Sequence, residues 1–180
     1  MGRIVSNFFI SLDGVVQDPQ DWHFPYFDDE MGAVVGSGME GTDAMLLGRR
    51  LYDEWSEYWP TQGDEVPFAS HINNLPKYVL THRPVEGEVW NNTTVISDDH
   101  VAGVQAIKDS TERDISMSGS ATTVRWLIAN GLLDELALLV HPIAVAKGQR
   151  LFEDTGTVPL KLEQSTPLKS GVLHLRYSPA

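Results

Sequence analysis

Three short stretches constrain this chain more than anything else in it: Gly48-Arg49-Arg50, Thr81-His82-Arg83 and Gly119-Ser120-Ala121-Thr122-Thr123. Each follows a run that reads as a buried strand, namely Ala44 to Leu47, Tyr78 to Leu80 and Ile115 to Met117. The first and third lead directly into helical patterns. Small residues, free backbone N–H groups and arginines thereby gather along one edge of a sheet, where a pyrophosphate or ribose phosphate docks against helix N-termini. The pattern reads as a dinucleotide site.

The rest of the composition narrows the class. With 180 residues, 42% apolar and 21% charged, the chain fills one substantial core, and no shift in composition divides it, so residues 1–180 read as a single domain. Thirteen Lys and Arg against 25 Asp and Glu give a net charge of -12, which argues against nucleic acid or an anionic membrane as partner. Any phosphate has to be met by a local basic cluster. The absence of Cys removes disulfides, a thiolate nucleophile and Cys-ligated zinc. Six scattered His lack metal-ligand spacing, and no Gly-x-Ser-x-Gly elbow is present, so metal hydrolysis and serine hydrolysis are not expected. No apolar run approaches a membrane span or a signal core, and the expected location is the cytoplasm.

Strands and helices alternate. The sequence predicts a strand over Ile4 to Leu12, a long loop to Phe27, a helix from Asp28 to Met39, a strand from Asp43 to Leu47 and a helix from Arg49 to Tyr58. A weaker helix over Val66 to Leu75 precedes strands at Lys77 to Thr81 and Thr93 to Ile96 and a helix from Val101 to Lys108. Then come the Ile115 to Met117 strand, a helix from Ala121 to Asn130 stopped by Gly131, and an apolar strand from Leu136 to Val140. Leu160 to Leu168 and Val172 to Tyr177 flank a Lys-Ser-Gly turn and read as a terminal antiparallel hairpin. The fold class is α/β, with a mixed, mostly parallel sheet flanked by helices.

Ser11-Leu12-Asp13-Gly14, Leu46-Leu47-Gly48-Arg49-Arg50, Met117-Ser118-Gly119-Ser120 and Leu151-Phe152-Glu153 with the hairpin occur in an order that resembles the dihydrofolate reductase-like superfamily. The closer resemblance is to its branch containing the reductase domain of riboflavin biosynthesis. What the resemblance implies is an NADPH-dependent reductase that delivers hydride to a C=N or C=O bond in a cleft beside the first strand. The family pattern has Thr after the Gly-Arg-Arg run, whereas this chain has Leu51.

For the cofactor, Arg supplies the charge-assisted donors that a 2′-phosphate needs, and Thr81 and Arg83 with Arg49 or Arg50 could supply them together, with Gly48 and His82 beside them; the plainer reading makes the arginines solvated surface residues paired with the chain's excess acids. Gly119, Ser120, Ala121, Thr122 and Thr123 would hold the pyrophosphate; the plainer reading makes them a turn with a helix cap. On the acceptor side, Trp22, Phe24 and Phe27 could stack on a flat ring or simply cover the core. Asp28 is displaced by one residue from the acid that holds the pteridine in dihydrofolate reductases, and helix-terminal acids explain it equally well. Asp13, at the expected strand end, is the candidate for orienting the acceptor and delivering a proton, or else a turn residue.

The loop from Asp13 to Glu30 carries six acids and no Lys or Arg, so a neutral or cationic heteroaromatic acceptor, pterin- or pyrimidine-like, is expected over a phosphorylated one. The alternatives are the riboflavin-pathway 5-amino-6-(5-phosphoribosylamino)uracil reductase, whose substrate phosphate would need Lys147 to Arg150 to reach in, and a dinucleotide-binding relative without catalysis. A homodimer is expected through the Leu136 to Val140 strand or the hairpin edge.

Overall fold

Alternation along the first strand decides how the two faces of the sheet are filled. In β1 (Ile4–Ser11), Ile4, Phe8 and Ile10 enter the larger core, while Val5, Asn7 and Phe9 point to the opposite face. The computed structural model describes residues 1–180. It adds α1 (Asp29–Glu40), β2 (Thr42–Gly48), α2 (Arg49–Tyr58), α3 (Ala69–Asn74), β3 (Lys77–Leu80), β4 (Thr93–Ile96) and α4 (His100–Ser110). The remaining elements are β5 (Asp114–Ser118), α5 (Ala121–Ala129), β6 (Glu135–His141), β7 (Leu160–Pro167) and β8 (Leu173–Pro179).

All eight strands form one sheet in the order β4-β3-β2-β5-β1-β6-β8-β7. The pairs from β4 to β6 are parallel, and β8 and β7 are antiparallel additions. The C-terminal ends of β3, β2, β5 and β1 therefore lie side by side, about 4.8 Å apart, and the loops that leave them share one edge.

Helices α4 and α5 cover one face through Val104, Ile107, Val124 and Leu127. The other face is covered in two separate pieces. Met45, Leu47 and Val79 pack under Tyr52 of α2 and Ile72 of α3, while Leu139 packs under Met31 of α1. Between these clusters the sheet is left open, and that gap is the cleft.

Two expectations are corrected. The Val66 to Leu75 helix shrinks to α3, because Val66 to Ala69 is taken up by successive turns and Phe68 adopts a left-handed φ of 70° before the helix can start. The apolar strand Leu136 to Val140 is not an edge: β6 lies between β1 and β8, bonded on both sides, so no second copy can pair with it. Of the proposed edges only β7 remains, and Lys161, Pro167 and the bulge near Glu163 blunt it.

Candidate functional site

The phosphate-binding candidate is built from two helix N-termini placed against each other. Gly48 ends β2 and precedes α2 with no side chain to cap its amides, and Ser120 precedes α5 without capping it either. The first-turn N–H groups of both helices, together with their dipoles, are thus left for something other than a side chain. Gly119 and Ser120 both take left-handed φ values, 82° and 63°, which turns the chain sharply from β5 into α5.

Gly48 is required by contact. A Cβ built on it would lie 2.4 Å from the Ser120 Oγ and 2.5 Å from the Thr123 Oγ1, two hydroxyls that bond each other at 2.7 Å. A residue with a side chain would have to push these two hydroxyls aside. Leu51 lies beside Gly119, 3.9 Å from where its Cβ would be.

The arginines divide into fixed and free. Arg49 donates from Nε to Asp53 at 2.7 Å and from Nη1 to the carbonyls of Arg83 and Pro84 at 3.0 and 2.6 Å, so it ties the loop after β3 to α2. Arg50 makes one exposed pair with Glu54 in the next helical turn, and the Arg83 side chain makes no ion pair. These two are available to an anion. Thr81 spends its hydroxyl on the local turn, accepting from the Arg83 N–H and donating to the Arg83 carbonyl. His82 is exposed and lies against His100 with ring centres 4.3 Å apart.

On the acceptor side, the structure separates Phe24 and Phe27, which are 64% and 42% exposed, from Trp22, which is buried and donates its indole N–H to the Gln17 carbonyl. Trp22 is a core residue and is unavailable to a ligand. His23 lies between Phe9 and Phe24, at ring-centre distances of 4.5 and 4.2 Å, and its Nδ1 has no partner. Burial, reinforced by His141, holds its imidazole below the ordinary value. His141 is fully buried, bonded at Nδ1 to the Leu139 carbonyl, and burial likewise pushes its imidazole below the ordinary value.

Asp28 caps α1, accepting from the Met31 N–H at 2.9 Å, so the carboxylate expected near an acceptor is spent on its own helix. Asp13 is corrected more sharply. Its carboxylate accepts from the Ser11 hydroxyl at 2.6 Å and from the Val145 and Ala146 amides at 3.0 and 2.8 Å. Those bonds, the Ser11 hydroxyl foremost and then the Val145 amide, hold its pKa down to about 2. A carboxylate so placed has no proton to give near neutral pH. Asp13 instead fastens the 143–150 loop to the end of β1, helped by the Arg150 Nε bond to its carbonyl at 3.1 Å.

Sequence reasoning missed Asn7, Ser116 and Ser118. They line the open part of the sheet between the two clusters, with Asn7 opposite Ser118 in register, and Asn7 is exposed although it sits mid-strand at the centre of the sheet. The signal was present: a carboxamide interrupting an otherwise apolar central strand has to face water or a ligand.

A cavity of about 690 Å³ lies elsewhere, between the outer side of α5 and residues 152–159, lined by Trp126, Phe152 and Arg125. Arg125 there bonds the Glu153 carbonyl at 2.9 Å, and the strand-end residues are absent from its walls apart from Thr122.

The model of the RibD C-terminal domain matches residues 3–174. The chain is 28% identical over 182 residues to YyaP of Bacillus subtilis (strain 168), a protein of uncharacterized function, with 97% of this chain and 94% of YyaP covered. Among solved structures, it resembles a diaminohydroxyphosphoribosylaminopyrimidine deaminase/5-amino-6-(5-phosphoribosylamino)uracil reductase from Thermotoga maritima, with a TM-score of 0.68 at 12% identity. That alignment covers 99% of this chain and 57% of the other. It also resembles dihydrofolate reductase from Enterococcus faecalis complexed with NADP(H), with a TM-score of 0.64 at 16% identity over 99% and 96% of the two chains. The fold is dihydrofolate reductase-like.

Proposed function

Because this chain belongs to the RibD C-terminal domain family, we propose that it is an NADPH-dependent reductase acting on a C=N or C=O bond of a small pyrimidine- or pterin-like ring. The observation that carries the reading is the pair of helix N-termini, those of α2 and α5, that lie against each other at Gly48 with no side chain capping either, so that their first-turn N–H groups suit a diphosphate. Arg83, which makes no ion pair, and Arg50, whose exposed pair with Glu54 is its only one, are the guanidinium groups proposed for a 2′-phosphate. NADPH, when bound, supplies a hydride.

The chain's own residues divide the remaining work. The strand order puts the phosphate cradle at β2 and β5 and the open cleft at β5 and β1, so a dinucleotide held at the cradle extends one or two strand spacings to the cleft. Asn7, Ser116 and Ser118 offer polar contacts there, and Phe24 and Phe27 offer flat apolar surface. Asp13 keeps the adjoining loops in place. The proton that accompanies hydride comes from solvent, since the Ser11 hydroxyl and the Val145 and Ala146 amides hold Asp13 as a carboxylate.

The test is a thermal-shift panel of NADPH, NADH and FMN followed by absorbance assays of NADPH oxidation with pterin and pyrimidine acceptors. The proposal expects NADPH to stabilise most; at a hundredfold excess over its Kd a ligand adds about 2.7 kcal/mol. NADPH binding without oxidation by any such acceptor would favour a non-catalytic dinucleotide-binding protein instead.

A further inference from the structure

The charges around the cleft are distributed in a way that selects among acceptors. No Lys or Arg occurs from residue 4 to residue 48, a stretch that supplies β1, the loop over the cleft, α1 and β2. None occurs in β5 or between Arg125 and Lys147, which includes all of β6. The same loop and helix start carry Asp18, Asp21, Asp28, Asp29 and Glu30.

The usual substitutes for a cation are also taken. The α1 N-terminus, which would otherwise attract an anion, is filled by the Asp28 carboxylate and followed by Asp29 and Glu30. Arg150, the nearest guanidinium in the adjoining loop, is bonded to the Asp13 carbonyl at 3.1 Å and lies 3.9 Å from its carboxylate. His23, buried between its two phenylalanines, has an unpartnered Nδ1, a polar atom beside apolar rings, and burial works against its taking a charge. Two exposed lysines make no ion pair, Lys147 on the adjoining loop and Lys169 in the hairpin turn, whose backbone N–H bonds the Glu30 carboxylate at 2.8 Å; they are the nearby cations set against these acids.

We infer that the acceptor is a flat neutral or cationic heteroaromatic ring that carries no phosphate, in contrast to the phosphoribosyl-bearing substrate named for the Thermotoga maritima protein. The inference rests on the reductase reading for the identity of the site. The two halves of the site then have opposite electrostatic character: helix N-termini, Arg50 and Arg83 stand at the ends of β2, β3 and β5, while the loop after β1 and the start of α1 carry acids and no Lys or Arg. A phosphorylated ring would bring its dianion toward these carboxylates, and like charges still repel in water at a separation of about 10 Å.

The full-length protein, with and without saturating NADPH, is titrated calorimetrically at low ionic strength with three probes. They are 5-amino-6-(5-phosphoribosylamino)uracil, the same compound after removal of its phosphate, and 2,4-diaminopteridine. The phosphate-free compounds should bind, and the phosphorylated one should bind about tenfold more weakly. That gap should narrow above 0.1 M salt, where the Debye length falls to about 10 Å, and should narrow in an Asp21→Asn, Asp29→Asn variant without any change for the phosphate-free probes.

Equal or tighter binding of the phosphorylated compound overturns the inference, and loss of that preference in Lys147→Ala would identify the cation responsible. Failure of both phosphate-free rings to bind overturns it as well. Ring binding without any NADPH binding would instead refute the reductase reading and leave the acceptor inference standing.

Discussion

Replacing Gly48 with Ala puts one methyl group at the point where the account is most exposed. The backbone there, φ -78° and ψ 158°, suits any residue, so Ala brings no conformational strain and gains about 0.4–1 kcal/mol from a stiffer unfolded chain. Against that, its Cβ would lie 2.4 and 2.5 Å from two hydroxyl oxygens, about 1 Å inside the 3.4 Å at which ordinary contact begins. Overpacking of this kind costs about 1–3 kcal/mol, and separating Ser120 from Thr123 about 0.5–1.5 more.

The net loss is about 0.5–4 kcal/mol, or a Tm lower by roughly 1–16 °C, with NADPH affinity falling in the same variant because the methyl group stands between the helix termini. Ser120→Gly removes the nearer hydroxyl and suits a φ of 63°, so the Gly48→Ala, Ser120→Gly pair should be more stable than the single effects sum to, by about 0.5–3 kcal/mol. Thermal melts and NADPH titrations of the four proteins complete the cycle. A Gly48→Ala protein that keeps both its Tm and its NADPH affinity would refute the reasoning, and one that melts lower yet binds NADPH unchanged would move the cofactor elsewhere.

Three further outcomes follow from the site. Arg83→Ala or Arg50→Ala should weaken NADPH by about 1.5–3 kcal/mol and leave NADH nearly unchanged in parallel titrations, whereas Arg49→Ala should weaken both, because Arg49 holds the loop after β3. Asp13→Asn should lower Tm by loosening the 143–150 loop and leave the shape of the pH–rate profile unaltered; a lost titration step in that profile would restore Asp13 as a proton donor. Burial holds His23 and His141 below their ordinary 6.5, so the unfolded chain binds protons more readily. Stability is therefore expected to fall as pH drops below about 6.5, by up to ~1.4 kcal/mol per pH unit per group until the folded imidazoles charge. Melts at pH 7.5 and 5.5 measure this, and His23→Phe, which keeps the aromatic stack, should flatten the difference.

Most of the fold was legible because it is written in local pattern. Arg49 to Tyr58 and Thr93 to Ile96 match the structure to the residue, since a strand ending in Gly48 and a helix ending before Pro60 leave little freedom. The meeting of the β2 and β5 ends was legible for the same reason, since Gly48 and Gly119-Ser120 mark sharp turns from strand into helix.

What the sequence did not show depends on contacts distant along the chain. Asp13 reads as a turn or a catalytic acid until Val145 and Ala146 are seen to occupy its carboxylate. Trp22 and Phe24 are two residues apart and alike in type, and only the packing of the loop on Phe9 and His141 buries one and exposes the other. Leu136 to Val140 looks like an edge because nothing local reveals that the terminal hairpin pairs beside it.

The most direct test of the central claim is where NADPH perturbs the backbone. Amide chemical shifts of the assigned, isotope-labelled protein are followed as NADPH is added. The account predicts the largest changes at Arg49, Arg50, Gly119, Ser120 and Ala121, where two helices offer uncapped N–H groups, with smaller ones at Asn7 and Ser118. Changes confined to Arg125, Trp126 and residues 152–159, around the separate cavity outside α5, would contradict it.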